Sequence, residues 1–231
     1  TLVEGWNQWD LQRAIAAHPE LEATLGPEDW GDFLAGIDAL AMHPEGLFLP
    51  ETYRFPRGST DRDVLRQAHE LMRAVLAEEW ERRSEDAPVA TPYEALILAS
   101  IVEKETALAE ERARIAGVFA RRLAKGMRLQ TDPTVIYGIG PDFDGNLRRS
   151  DLRTDTPYNT YTRGGLPPTP IAMPGRAAIH AALHPAPGEE LYFVATGLGD
   201  GSHAFSTTKE EHDAAVRAYL QRLREQRRSG Q

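Results

Sequence analysis

Cysteine is absent from all 231 positions. Disulfides, thiolate metal sites and a cysteine nucleophile are therefore excluded together, whatever the redox state of the compartment. Long hydrophobic runs are missing too: no stretch approaches the about 18 apolar residues that a spanning helix requires. Lysine is scarce, with Lys104, Lys125 and Lys209 the only three among 26 basic residues. Acidic residues number 35, which leaves a formal charge of -9. Wrapping nucleic acid needs clustered basic residues to neutralise phosphates, so no nucleic-acid partner is expected. No signal peptide is recognisable, and Thr1 opens the chain, which reads as a piece of a longer protein.

What is present is ordinary globular material, 41% hydrophobic and 26% charged. Residues 1–42 are expected to be mostly helical and polar. Trp6, Trp9 and Trp30 anchor them, and Pro19, Gly26 and Pro27 break them into short pieces. Residues 44–58 alternate prolines, glycines and aromatics and predict an ordered loop or a short strand pair. Thr60 and Asp63 have capping-box spacing ahead of a helix over 60–82. Thr91, Pro92 and Glu94 open a second helix, over about 92–107. A third helical pattern ends at Gly126. Beyond it, helical periodicity is lost. Strands are expected at 134–137 (TVIY) and 191–196 (LYFVAT), with a hairpin turn at GLGDG (197–201) and a short helix over 175–184. Thr208 and Glu211 open a last amphipathic helix to about 227, whose basic end suits the negative pole of its dipole. The order predicts an α+β fold: a helical N-terminal half packed on a small mixed or antiparallel sheet, with long ordered loops. The chain divides into a mainly helical part, 1–85, and a core, 86–231.

Among the acids, Glu103 stands out because it lies in LILASIVEKET, a nearly continuous apolar stretch. At about 100° per residue it projects beside Ala99 and Ser100, small residues that leave room for an approaching group. Apolar surroundings raise a carboxyl pKa, as a general acid near neutral pH requires. The competing reading is a helix-end carboxylate paired with Lys104 or Arg112. Glu105 lies about 200° further round, so the two acids cannot easily share one site. Gln130, Thr131 and Asp132 could hydrogen-bond a polyhydroxylated ligand, or simply form a turn before Pro133. Tyr158, Asn159 and Tyr161, in PYNTYTRGGLPPTP, suit sugar binding as well as they suit a proline-pinned loop. His180 and His184 have the i, i+4 spacing of a metal pair, but no Glu lies between them and Pro185 ends the segment. His203 in HAFS reads as a loop histidine with a polar role. No metal or other cofactor is expected.

Seven segments carry a resemblance. EGLFLPETYRF (45–55), LASIVEKET (98–106), RLQTDPTVIYG (128–138), YNTYTRGGLPPTPIAMPG (158–175), AALHP (181–185), YFVA (192–195) and HAFS (203–206) resemble, in order, the endolytic murein transglycosylase, or YceG-like, family. The likeness runs over the whole chain and implies that residues 1–231 are the family's catalytic domain. The parent's membrane helix and LysM-like module would lie outside this piece. It also implies non-hydrolytic cleavage within nascent peptidoglycan strands after N-acetylmuramic acid, leaving a 1,6-anhydro end. Such cuts would terminate strand elongation at the outer face of the cytoplasmic membrane, near penicillin-binding synthases. The resemblance assigns catalysis to the first Glu of IVEKE, here Glu103. Gln130, Asp132, Tyr158, Asn159 and Tyr161 are expected to line the glycan cleft. Two other readings stay open: a hydrolase using Glu103 with Glu51 or Asp132 as second acid, and a glycan-binding module without turnover.

Overall fold

The computed structural model describes residues 1–38 and 43–229, so residues 39–42 of the expected N-terminal helical region lie outside it. Eight α-helices and one hairpin are formed among the described residues: α1 (Gln8–Ala16), α2 (Trp30–Ile37), α3 (Asp61–Glu81), α4 (Pro92–Glu105), α5 (Ala109–Ala124), α6 (Asp132–Ile139), α7 (Arg176–Leu183), β1 (Tyr192–Ala195), β2 (His203–Ser206) and α8 (Lys209–Ser229). The helix starts follow local chemistry. Thr60 and Asp63 satisfy each other's backbone N–H groups at the head of α3, and Thr91 and Glu94 do the same for α4. Thr208 and Glu211 repeat the pattern at α8. Each box satisfies donors that the first helical turn would otherwise leave open.

One expectation needs correction, and one open alternative is decided. TVIY is not a strand but the middle of α6. Pro133 sits in its first turn, where its fixed φ favours a helix and its missing N–H costs nothing. Thr134, Val135 and Tyr137 are buried, a pattern that does not alternate as a strand would. Packing and the proline thus outweigh the β-preference of Thr, Val, Ile and Tyr. Residues 44–58 are an ordered loop with no strand pair. This loop is buried at Leu47, Phe48 and Leu49, and the Leu49 N–H donates to the Ala68 carbonyl of α3 at 3.1 Å. Its Gly46 takes φ +77°, and a Cβ there would sit 2.6 Å from the Pro170 ring. Only glycine permits both the left-handed turn and that approach.

Helix α4 is the centre. Every residue from Ala95 to Val102 is buried, and α4 packs against α7, α5, α3 and α6. A helix surrounded in this way must be apolar on all faces, which explains LILASIV. The buried cluster joins Phe48, Leu65 and Met72 from before residue 85 to Leu98, Ile101, Ile115, Phe119 and Ile179 after it. The hairpin is antiparallel, pairing Tyr192 with Ser206 and Ala195 with His203. It leans on α5 and α8, with GLGDG in its turn as the sequence predicts. Arg222 of α8 donates to the Thr196 carbonyl at 2.6 Å, so part of the helix's basic end holds the hairpin. No helix among the described residues is long and apolar enough to cross a membrane. Ile101, fully buried on α4, gives a direct check: Ile101→Ala is expected to cost about 2–5 kcal/mol, read as a lowered urea midpoint with an unchanged slope.

Candidate active site

The last turn of α4 sends two carboxylates in different directions. Glu103 accepts the Gly175 N–H at 2.9 Å, at the head of α7. That helix has no side-chain cap of its own, so Glu103 supplies an acceptor and a negative charge where the helix dipole favours one. Burial raises its pKa, opposed by the Gly175 N–H. The room left by Ala99 and Ser100 is filled by protein: the Ile171 N–H donates to Ser100 Oγ at 2.9 Å. The small residues therefore admit the 171–175 backbone.

Glu105 faces a cleft of about 450 Å³. Beside it stand Gln130, Thr131 and Asp132 from the entry to α6, Tyr161 from the 157–170 loop, Tyr192 and His203 from the hairpin, and Lys209, His212 and Tyr219 from α8. Three of the five expected binding residues, Gln130, Asp132 and Tyr161, thus share a cleft with Glu105. Glu103 does not line it. The turn of about 200° between the two acids places them on opposite sides of α4.

The other two expected residues hold the loop. Asn159 is fully buried, and its amide donates to the carbonyls of Asp151, Leu152 and Thr154. Its Oδ1 accepts the Tyr161 N–H at 2.8 Å. Tyr158 packs edge-on against Tyr137 with centroids 4.9 Å apart, and its hydroxyl meets Thr169 Oγ1 at 2.9 Å. Neither lines the cleft.

Glu105 is pushed up to about 7 by burial, with a smaller push from Asp132, against a hydrogen bond from Thr131 Oγ1 and the nearby His203 that favour its charged form. Thr131 is fixed in turn, its N–H donating to Thr160 Oγ1 at 3.1 Å. Gln130 has φ +53°, a left-handed conformation costly for a residue with a Cβ. Its N–H donates to the Thr160 carbonyl, which helps hold that geometry. Tyr161 donates to Asp132 Oδ1 at 2.5 Å, so these two cleft groups orient each other. His203 is held by Glu111: its backbone N–H donates to one carboxylate oxygen at 2.9 Å, and its Nδ1 lies 2.7 Å from the other. Tyr192 stacks on His212 with centroids 5.2 Å apart. Glu51, considered as a second acid, is exposed and outside the cleft. Asp132 is inside it. The arrangement can hold a proton on Glu105 near neutral pH beside hydroxyl, amide and aromatic groups.

Sequence reasoning passed over Glu105, Tyr192, Lys209, His212 and Tyr219. The angular separation of the acids signalled that only one could serve a given site, but apolar neighbours alone did not say which.

The family model for the YceG-like family matches residues 1–218, and the chain belongs to that family. It is 38% identical over 179 residues to an endolytic murein transglycosylase of Bacillus subtilis, covering 77% of this chain and 49% of that protein. A protein of the same name from Streptococcus pneumoniae is 30% identical over 215 residues, covering 91% of this chain and 37% of the relative. The chain therefore spans half or less of these curated relatives. A crystal structure of a yceG-like protein from Listeria monocytogenes superimposes with a TM-score of 0.74 at 32% identity, covering 92% of this chain and 74% of that one.

The raised carboxyl has a measurable consequence. The folded state binds the Glu105 proton more tightly than the unfolded chain, whose ordinary value is 4.5. Stability is lost as pH rises between that value and about 7, and the whole penalty is present above it. Glu105→Gln is therefore expected to be about 1–3 kcal/mol more stable than the native chain at pH 8. The two should be nearly equally stable at pH 4.5, as measured by urea denaturation at both pH values.

Proposed function

We propose that this chain is the catalytic domain of a peptidoglycan lytic endotransglycosylase and that Glu105 is its acid and base. One observation carries the reading: Glu105 is held near neutrality in a cleft that also contains Gln130, Asp132 and Tyr161. The names of the relatives support murein strands as substrate.

In this reading, protonated Glu105 gives its proton to the glycosidic oxygen between N-acetylmuramic acid and N-acetylglucosamine as that bond breaks. Positive charge develops at the muramic C1. The C6 hydroxyl of the same sugar closes onto C1, and its proton passes to the Glu105 carboxylate, restoring the acid. The nucleophile belongs to the substrate, so one carboxyl serves both half-steps and no water is consumed. Gln130, Asp132 and Tyr161 offer hydrogen bonds to sugar hydroxyls and amides, and the half-buried Tyr219 adds an aromatic ring to the cleft wall. Catalysis assigned to Glu103 by resemblance thus moves two residues along the same motif. The site of action would be the cell envelope, outside the cytoplasmic membrane. A membrane anchor would be supplied by other parts of the parent, and penicillin-binding synthases are the proposed neighbours.

The test is mass spectrometry of uncrosslinked glycan strands after digestion. The native chain is expected to yield internal cuts ending in 1,6-anhydro-muramic acid. Glu105→Gln should lose about 10²–10⁴-fold in rate, the usual range for a general acid, while Glu103→Gln should stay within about tenfold of native. Activity lost in Glu103→Gln but retained in Glu105→Gln would overturn the assignment. Reducing ends in place of anhydro ends would favour a hydrolase with Asp132 as second acid. A native chain that binds strands without cutting them would favour the glycan-binding module.

A further inference from the structure

The histidine pair at the end of α7, one in its last turn and one just past it, acquires in three dimensions the carboxylate it lacks in sequence. His180 and His184 lie one turn apart, with ring centroids 4.2 Å apart. Glu79, near the end of α3, comes up against them: His180 Nδ1 lies 2.8 Å from Glu79 Oε2. One ligand atom from each of Glu79, His180 and His184 falls within 4.8 Å of the others. His184 Nε2 is buried with no hydrogen-bond partner. A buried ring nitrogen left without a partner on a member of such a cluster calls for an explanation.

We propose that Glu79, His180 and His184 form a divalent transition-metal site that staples α3 to α7, separate from the cleft. Two imidazoles and one carboxylate suit zinc, with a fourth position left for water. His180 lies in the last turn of α7 and His184 caps it, its N–H donating to the His180 carbonyl at 2.8 Å, which brings the two rings together. Arg176 binds Glu79 Oε1 at 2.8 Å and Glu78 at 2.7 Å. Arg82 also binds Glu78 at 2.9 Å, so the two carboxylates are matched by two guanidiniums and the carboxylate oxygen available to a cation is Glu79 Oε2. Arg176 engages only Oε1, so Oε2 can turn from the His180 proton to the metal, with Arg176 kept as an outer partner that orients the carboxylate. On Glu79, burial is outweighed by the hydrogen bonds from His180 and Arg176, which favour the ionised form.

The experiment is calorimetric titration of zinc ions into the tag-free, chelator-treated chain, with thermal melting in parallel. One equivalent is expected to bind and raise the melting temperature. His180 is largely exposed, so His180→Ala should keep the fold by circular dichroism while weakening binding by about tenfold or more, as even outer partners of metal sites do. Glu79→Gln should behave the same way. His18→Ala, whose ring packs on Phe55, should bind as the native chain does. No saturable binding to the native chain, or unchanged binding in folded His180→Ala, would overturn the site.

Discussion

Burial of α4 on every side is the constraint from which the cleft follows. A helix surrounded by α3, α5, α6 and α7 has no solvent face from Ala95 to Val102, and in its last turn two glutamates emerge on opposite sides. Any polar group leaving such a helix must find a partner or keep its proton. Glu103 finds the Gly175 N–H. Glu105 finds the Thr131 hydroxyl and an open cleft. The same burial that stabilises the fold thus raises a carboxyl at the wall of an open cleft.

Around Glu105 the protein fixes each group through another. Thr131 is set by Thr160, Tyr161 and Asp132 set each other, and the loop bearing Tyr161 is bound by Asn159 to three carbonyls. Such preorganisation means that little has to move as charge develops in a reaction. It also comes with strain, seen in the left-handed Gln130. A raised carboxyl and a strained neighbour are the kind of local cost that proteins retain at functional sites.

What could be read from sequence divides by range. Helix starts at Thr60, Thr91 and Thr208 were legible because a capping box closes within four residues. The hairpin turn at GLGDG was legible for the same reason. TVIY misled because its β-branched residues spoke for a strand while Pro133 and the buried side of α6 decided otherwise. Gln130, Asp132 and Tyr161 could be picked as cleft residues. Asn159 could not be told from them, since an amide that binds its own loop looks the same in sequence as one that binds sugar. Glu103 satisfied the criterion of apolar neighbours, yet the space beside it belonged to residues 171–175, which only the folded chain reveals. The link from Glu79 to His180 spans 101 positions, beyond any local pattern.

The account turns on one proton. Site-resolved carbon NMR of the Glu105 side-chain carboxyl, assigned by comparison with Glu105→Gln, measures where that proton leaves. The account predicts a midpoint near 7, moving upward in Thr131→Val as the hydrogen bond that favours the charged form is lost. A midpoint at the ordinary 4.5 of an exposed glutamate, unmoved by Thr131→Val, would contradict it.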